Sequence, residues 1–173
     1  MLKDIISAFG VYSRIPVPKI EAENSDLRYM LCFFPFVGVA VGAVTLVAEW
    51  ICRYIGMSNG FTAAVLVLVP VLVTGGIHVD GLLDTSDALS SWREREKRLE
   101  ILKDSHAGAF AVITACVYFM AMYGGMNQIT EMEDQKILYI LAVGYVVSRC
   151  FSGIGVITLP KANASGTVAE FSR

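Results

Sequence analysis

Four stretches of the chain are apolar almost without interruption, and the polar residues are gathered between them. The stretches cover residues 29–51, 61–77, 107–126 and 137–159. Each is close to the about twenty residues that a helix needs to cross a bilayer's hydrocarbon. The pattern therefore predicts four membrane-spanning helices. Ahead of them, residues 1–12 place Leu2, Ile5, Ile6, Phe9 and Tyr12 near helical spacing, with Lys3 and Asp4 on the other side. That stretch is too short to span and reads as an amphipathic helix lying at the interface. Next comes SRIPVPK, whose alternate prolines hold the backbone extended and stiff. It is an ordinary surface loop or a rigid strap that holds Arg14 over an anionic ligand. Residues 21–28 are polar and helix-compatible, with Asn24 or Ser25 as a candidate cap.

Within the spans, a few residues break the apolar rule. Pro35 is expected to kink the first helix. Gly38 and Gly42 have GxxxG spacing, which permits close helix approach within this chain or across a homo-oligomer. Glu49 and Trp50 suit an interface. Pro70 lies inside the second span. Arg149, in ILYILAVGYVVSRCFSGIGVITL, is costly against lipid. It is expected to face the bundle interior and pair with an acid or a phosphate; the alternative is snorkelling to the surface.

Composition agrees with the pattern. The chain has 173 residues, 55% of them hydrophobic and 17% charged, with a mean hydropathy of +0.58. Charge is far below that of a soluble domain, so the fold class is all-α, a polytopic integral membrane helical bundle in contact with membrane lipid. No basic tract carries interleaved aromatics, and nucleic acid is not an expected partner. Cys32, Cys52, Cys116 and Cys150 lack metal-ligand spacing and read as small apolar residues. With no repeat or linker visible, residues 1–173 form one domain. The segment 1–28, the 78–106 loop and the 160–173 tail hold nearly all Lys and Arg, so the positive-inside rule puts these on the cytoplasmic side.

The candidate chemistry sits in TGGIHVDGLLDTSDALSS, residues 74–91. Asp80, Asp84 and Asp87 are spaced i, i+4, i+7, which stacks them on one helix face. Unpaired, they repel one another; a divalent cation removes that penalty, and carboxylates are the ligands Mg²⁺ prefers. A solvated acidic face is the plainer alternative. Gly75, Gly76 and Gly81 allow close approach, and His78 is a candidate acid, base or phosphate donor. The following loop is charge-rich, and REREKRLE reads as a solvated helix. At its end, Lys103, Asp104 and Ser105 set a cation, an anion and a hydroxyl side by side, with Gly108 leaving space. The helix N-terminus there can bind phosphate through free backbone N–H groups. Asp104 becomes a candidate fourth metal ligand, while Lys103, Arg14, Arg93 and Arg149 can clamp phosphate charge. The residues alone thus indicate metal-dependent phosphoryl transfer at the cytoplasmic face of a membrane.

GGIHVDGLLDTSDAL followed by RLEILKDSHAGAFAV resembles the cobalamin (5′-phosphate) synthase family, the adenosylcobinamide-GDP ribazoletransferases. SRIPVP and FFPFVGVAVG are similar to that family's early segments, in the same order. The resemblance implies a Mg²⁺-dependent enzyme of the prokaryotic cytoplasmic (inner) membrane. It would join α-ribazole, or its 5′-phosphate, to adenosylcobinamide-GDP and release GMP. It places catalytic roles on His78, Asp80, Asp84, Asp87 and Lys103, and metal roles on Asp80, Asp84, Asp87 and Asp104. It places substrate or phosphate contacts on Gly81, Ser105, Gly108 and Arg149, and the charge pattern read above adds Arg14 and Arg93. His106 stands where the family often has Arg. Family members usually continue with further spans, so the chain is expected to be incomplete at its C-terminal end. Two other classes remain open: a CDP-alcohol phosphotransferase, against which Leu83-Asp84 argues, and a divalent cation transporter, which would carry its carboxylates mid-span.

Overall fold

A computed structural model describes residues 2–18, 30–104, 106–132, 134 and 136–160. Among these residues the regular structure is entirely helical. Helix α1 (Leu2–Tyr12) is followed, after the proline strap, by a 3₁₀ turn (Leu31–Phe33) and α2 (Phe34–Tyr54). Then come α3 (Asn59–Thr74), α4 (Ile77–Ser90), α5 (Arg95–Ile101), α6 (Ala109–Glu131) and α7 (Lys136–Thr158). Three helical stretches, Leu31–Tyr54, Ala109–Glu131 and Lys136–Thr158, are long and apolar enough to cross a membrane, and the bent pair α3–α4 makes a fourth if it counts as one span. The expected polytopic bundle is therefore present.

Helix α2 is the scaffold. Its buried residues Val37, Val41, Thr45, Glu49 and Cys52 recur at three- and four-residue intervals and form one face. Pro35 does not kink this helix; it lies in the first turn, where its missing N–H has no intrahelical partner to lose. Gly38 and Gly42 set the approach of α7. A Cβ at Gly38 would stand 2.7 Å from the Tyr145 carbonyl oxygen, and one at Gly42 would stand 3.0 Å from that of Ala142. The GxxxG pair thus works inside the chain, as a seat for α7. Glu49 is buried against the neighbouring helices and pairs with Arg53 one turn on, while Trp50 is exposed and stacks on Tyr54.

The core joins these helices. Ala63, Leu66 and Val67 of α3 meet Met126 of α6 and Leu138 of α7. A smaller cluster of Ala8, Met30 and Leu31 fastens α1 to the start of α2, and Tyr12 lies 4.5 Å from Phe34 between ring centroids. Much of the rest of α6 and α7 is exposed apolar surface, including Val117, Met120, Ile140, Val143 and Phe151. Such a face suits lipid.

Helix α3 is shorter than the apolar run suggests. Its 16 residues reach about 24 Å at 1.5 Å per residue, short of a full hydrocarbon core. Ser58 caps its start by accepting from the Phe61 amide. Its end is set by glycine. Gly75 (φ +68°) takes the left-handed conformation, its amide donates to Leu72 O, and the Gly76 amide donates to Val71 O. This pair of bonds closes the last turn. Gly76 (φ +82°) is left-handed too, so two successive residues that only glycine adopts cheaply turn the chain through 91° into α4.

Candidate active site

The bend is where the strap docks. The Arg14 amide donates to the Val73 carbonyl at 2.8 Å, one of the acceptors that the end of α3 leaves without a helical partner. The Arg14 side chain then lies across Gly75: a Cβ there would stand 2.7 Å from its Cγ and 2.9 Å from its Nε. Arg14 is thereby carried to the start of α4, which bears His78, Asp80, Gly81, Asp84 and Asp87. The His78 ring is 5.9 Å from that of Phe34. Gly81 has open space where a side chain would be, so the surface beside Asp80 and Asp84 is left clear.

Asp87 has a different neighbourhood. Its Oδ2 accepts from the Gly108 amide at 2.6 Å and its Oδ1 from the Ala111 amide at 2.8 Å. Gly108 caps α6 without a side chain to offer, and the Asp87 carboxylate supplies the missing acceptor and complements the helix dipole. Ser86 strengthens the joint through a 2.5 Å hydrogen bond with Thr114. Two of the α6 amides expected to be free for phosphate are therefore already engaged. The space at Gly108 is filled by the protein's own carboxylate, which would lie 2.8–3.0 Å from an added Cβ.

The four candidate metal ligands do not converge. Among the described residues, no group of three or more His, Cys, Asp or Glu side chains is gathered as a ready-made ion site. Asp104 is on the exposed loop after α5, where its Oδ1 accepts from both the His106 ring and the His106 amide. Those bonds, the ring's first, hold its carboxyl below the usual carboxylate range. Lys103 and Arg93 are also exposed. Ser105 lies outside the described residues. Asp80 and Asp84, one turn apart, are the carboxylates not engaged in this way, and two such groups with phosphate oxygens and water make a donor set that fits Mg²⁺.

Arg149 does face the bundle interior, with 9% of its surface exposed. It lines a cavity of about 360 Å³ together with Pro70, Thr74, His78, Tyr118, Tyr145, Ser148 and Ser152. The ion pairs among the described residues are Glu49–Arg53, Lys97–Glu100 and Asp104–His106; none involves Arg149. Its Nε is buried with no hydrogen-bond partner. Sequence reasoning placed Arg149 but missed the cavity. Tyr118, Tyr145 and Ser152 carry no local signal, because four helices have to pack before these residues share a wall with Arg149.

Comparison with known proteins decides the family. The model of the cobalamin-5-phosphate synthase family matches residues 4–173, nearly the whole chain. The chain belongs to the cobalamin-5-phosphate synthase family. Among curated relatives, the adenosylcobinamide-GDP ribazoletransferase of Lachnoclostridium phytofermentans is 42% identical over 172 residues, covering 99% of this chain and 64% of the relative. The ribazoletransferase of Desulfitobacterium hafniense is 34% identical, over 92% of this chain and 63% of its own length. That of Clostridium botulinum (strain Eklund 17B) is 30% identical, over 86% and 58%. The chain thus spans about three fifths of the length of these relatives. No solved structure matches it. As a cobalamin-5-phosphate synthase family member, the chain presents its acidic motif on a helix set off by a sharp bend, rather than at the end of a straight span.

Proposed function

We propose that this chain carries the site of a membrane-bound, Mg²⁺-dependent transferase. The reaction joins α-ribazole, or α-ribazole 5′-phosphate, to adenosylcobinamide-GDP, giving adenosylcobalamin or its 5′-phosphate and GMP. This would be the final assembly stage of cobalamin biosynthesis, at the cytoplasmic face of a prokaryotic inner membrane. The observation that carries the reading is the bend, which brings Arg14 to the helix bearing Asp80 and Asp84. A cation and a carboxylate pair on neighbouring surfaces suit a diphosphate substrate and its metal.

Asp80 and Asp84 would hold Mg²⁺, with Asp87 and Asp104 as further candidates once substrate is bound. Bound there, Mg²⁺ supplies charge neutralisation for the phosphate oxygens. Arg14, Arg93 and Lys103 orient the diphosphate and offset its negative charge. Gly81 leaves room for substrate beside the carboxylates. A ribose hydroxyl of the ribazole attacks phosphorus, its oxygen forms the new P–O bond, and the P–O bond to GMP breaks. His78, on the same helix, would take the hydroxyl proton. Asp87 and Gly108 keep α6 seated against α4 while this happens.

The test is a transfer assay on protein in lipid, following corrinoid product and GMP together with and without chelator. Joint formation of both products, abolished by chelation and by Asp84→Asn, is the expected result. A second reading draws on the 91° broken helix pair, a feature that transporters also use. Uptake of a labelled divalent metal into vesicles, without transfer, would favour it.

A further inference from the structure

The acidic surface of α4 is one candidate site; the cavity behind it is another, walled by helices α3, α4, α6 and α7. We infer that this cavity is an anion subsite, in which Arg149 receives a phosphoryl group of a substrate from inside the bundle.

The argument begins with cost. A guanidinium removed from water is expensive unless charge and hydrogen bonds compensate it. Arg149 is buried, its Nε is unpartnered, and none of the ion pairs among the described residues includes it. An arginine that only braced helices would have its donors satisfied by the helices it braced. This one borders about 360 Å³ of space instead, within the range of small-molecule pockets.

The surrounding groups fit the same ligand. Tyr118, Tyr145, Ser148 and Ser152 put neutral hydroxyls on the wall, and His78 adds a ring nitrogen. Among the described residues no carboxylate lines the cavity, so the polar wall they form is one of donors around a fixed cation. The planar fork of arginine matches the oxygens of phosphate. His78 is shared with the helix that carries Asp80 and Asp84, so a phosphate held on Arg149 lies on the route to that surface. That the phosphate belongs to a substrate rests on the transfer reaction proposed above. It comes either from a phosphorylated ribazole or from the diphosphate of the nucleotide-activated partner.

The chain in neutral-lipid nanodiscs with chelator present is titrated with inorganic phosphate and with pyrophosphate by calorimetry. At least one should bind saturably, weaken tenfold or more in Arg149→Met, and weaken less in Arg149→Lys. Stronger phosphate binding assigns the subsite to the monophosphate source, and stronger pyrophosphate binding to the diphosphate. In the ligand-free state Arg149→Met should leave Tm unchanged or raise it, because it removes an uncompensated charge. A structural arginine would do the reverse. Failure of the wild-type chain to bind either anion overturns the inference, as does undiminished binding by Arg149→Met or a Tm that falls in Arg149→Met and recovers in Arg149→Lys. Arg149-dependent binding in a chain that transfers nothing would keep the subsite and remove the proposed reaction. Transfer without such binding would do the opposite.

Discussion

The carboxylate of Asp87 occupies the space that a side chain at position 108 would need. Its oxygens accept from the amides of Gly108 and Ala111, so a residue on α4 caps α6 across 21 positions of sequence. This contact joins the acidic motif to the next long helix. It also explains a glycine whose own φ of −85° would admit any residue.

Gly108→Ala should therefore be destabilising. Its methyl group displaces the carboxylate and weakens bonds of a charged type that contribute about 1.5–3 kcal/mol each. Asp87→Ala should cost a similar amount. In the Asp87→Ala background, Gly108→Ala should cost little more, because the group it collides with is gone. Thermal unfolding of the four proteins in one detergent checks the cycle; additive losses would remove the cap from the account.

Asp84→Asn should separate from Asp87→Asn. The first should abolish transfer and leave both membrane insertion and Tm in place, since Asp84 caps nothing in the described residues. The second should lower Tm even without metal, because the amide presents a donor to backbone donors. Measuring transfer across a Mg²⁺ titration beside unfolding curves distinguishes them. Full activity in Asp84→Asn would refute the metal assignment.

Gly75→Ala should lower stability by about 1–2 kcal/mol through its left-handed backbone alone. A further loss follows from contact with Arg14, whose Cγ lies 2.7 Å from the new methyl position. Arg14→Ala should remove that further part and not the first. Stability of the double variant equal to the sum of the two singles would show that the strap does not rest on the bend.

Gly38→Leu should be severe, since the new side chain would meet the α7 backbone within 3 Å. Gly124→Leu is the control, because nothing lies within 4 Å of a Cβ there. Folded yield after detergent extraction should collapse for the first and hold for the second. Equal yields would mean that α2 and α7 do not pack through the glycine pair.

Much of the molecule was legible along the chain because its signals are local. A helix crossing lipid must satisfy its own backbone, so an apolar run of sufficient length declares itself. The long helices α2, α6 and α7 follow from that rule, helix α1 from its amphipathic spacing, and the cost of Arg149 from a charge inside an apolar run. The position of Pro35 was misread, since a proline in an apolar run looks alike whether it begins a helix or bends one. Spacing grouped Asp80, Asp84 and Asp87 without separating them for a related reason: it reports which face a side chain shares, not what lies opposite it.

By itself, then, the sequence determined the helical bundle, its approximate spans, the candidate residues and the resemblance that the family match bears out. Tertiary structure alone decided that Gly38 and Gly42 seat α7 within the chain, and that Asp87 serves the α6 N-terminus while Asp80 and Asp84 remain free of it. It alone decided that Arg149 lines a cavity between four helices. Each of these depends on a partner tens of residues away, brought near by packing, and no local periodicity encodes the distance between two surfaces.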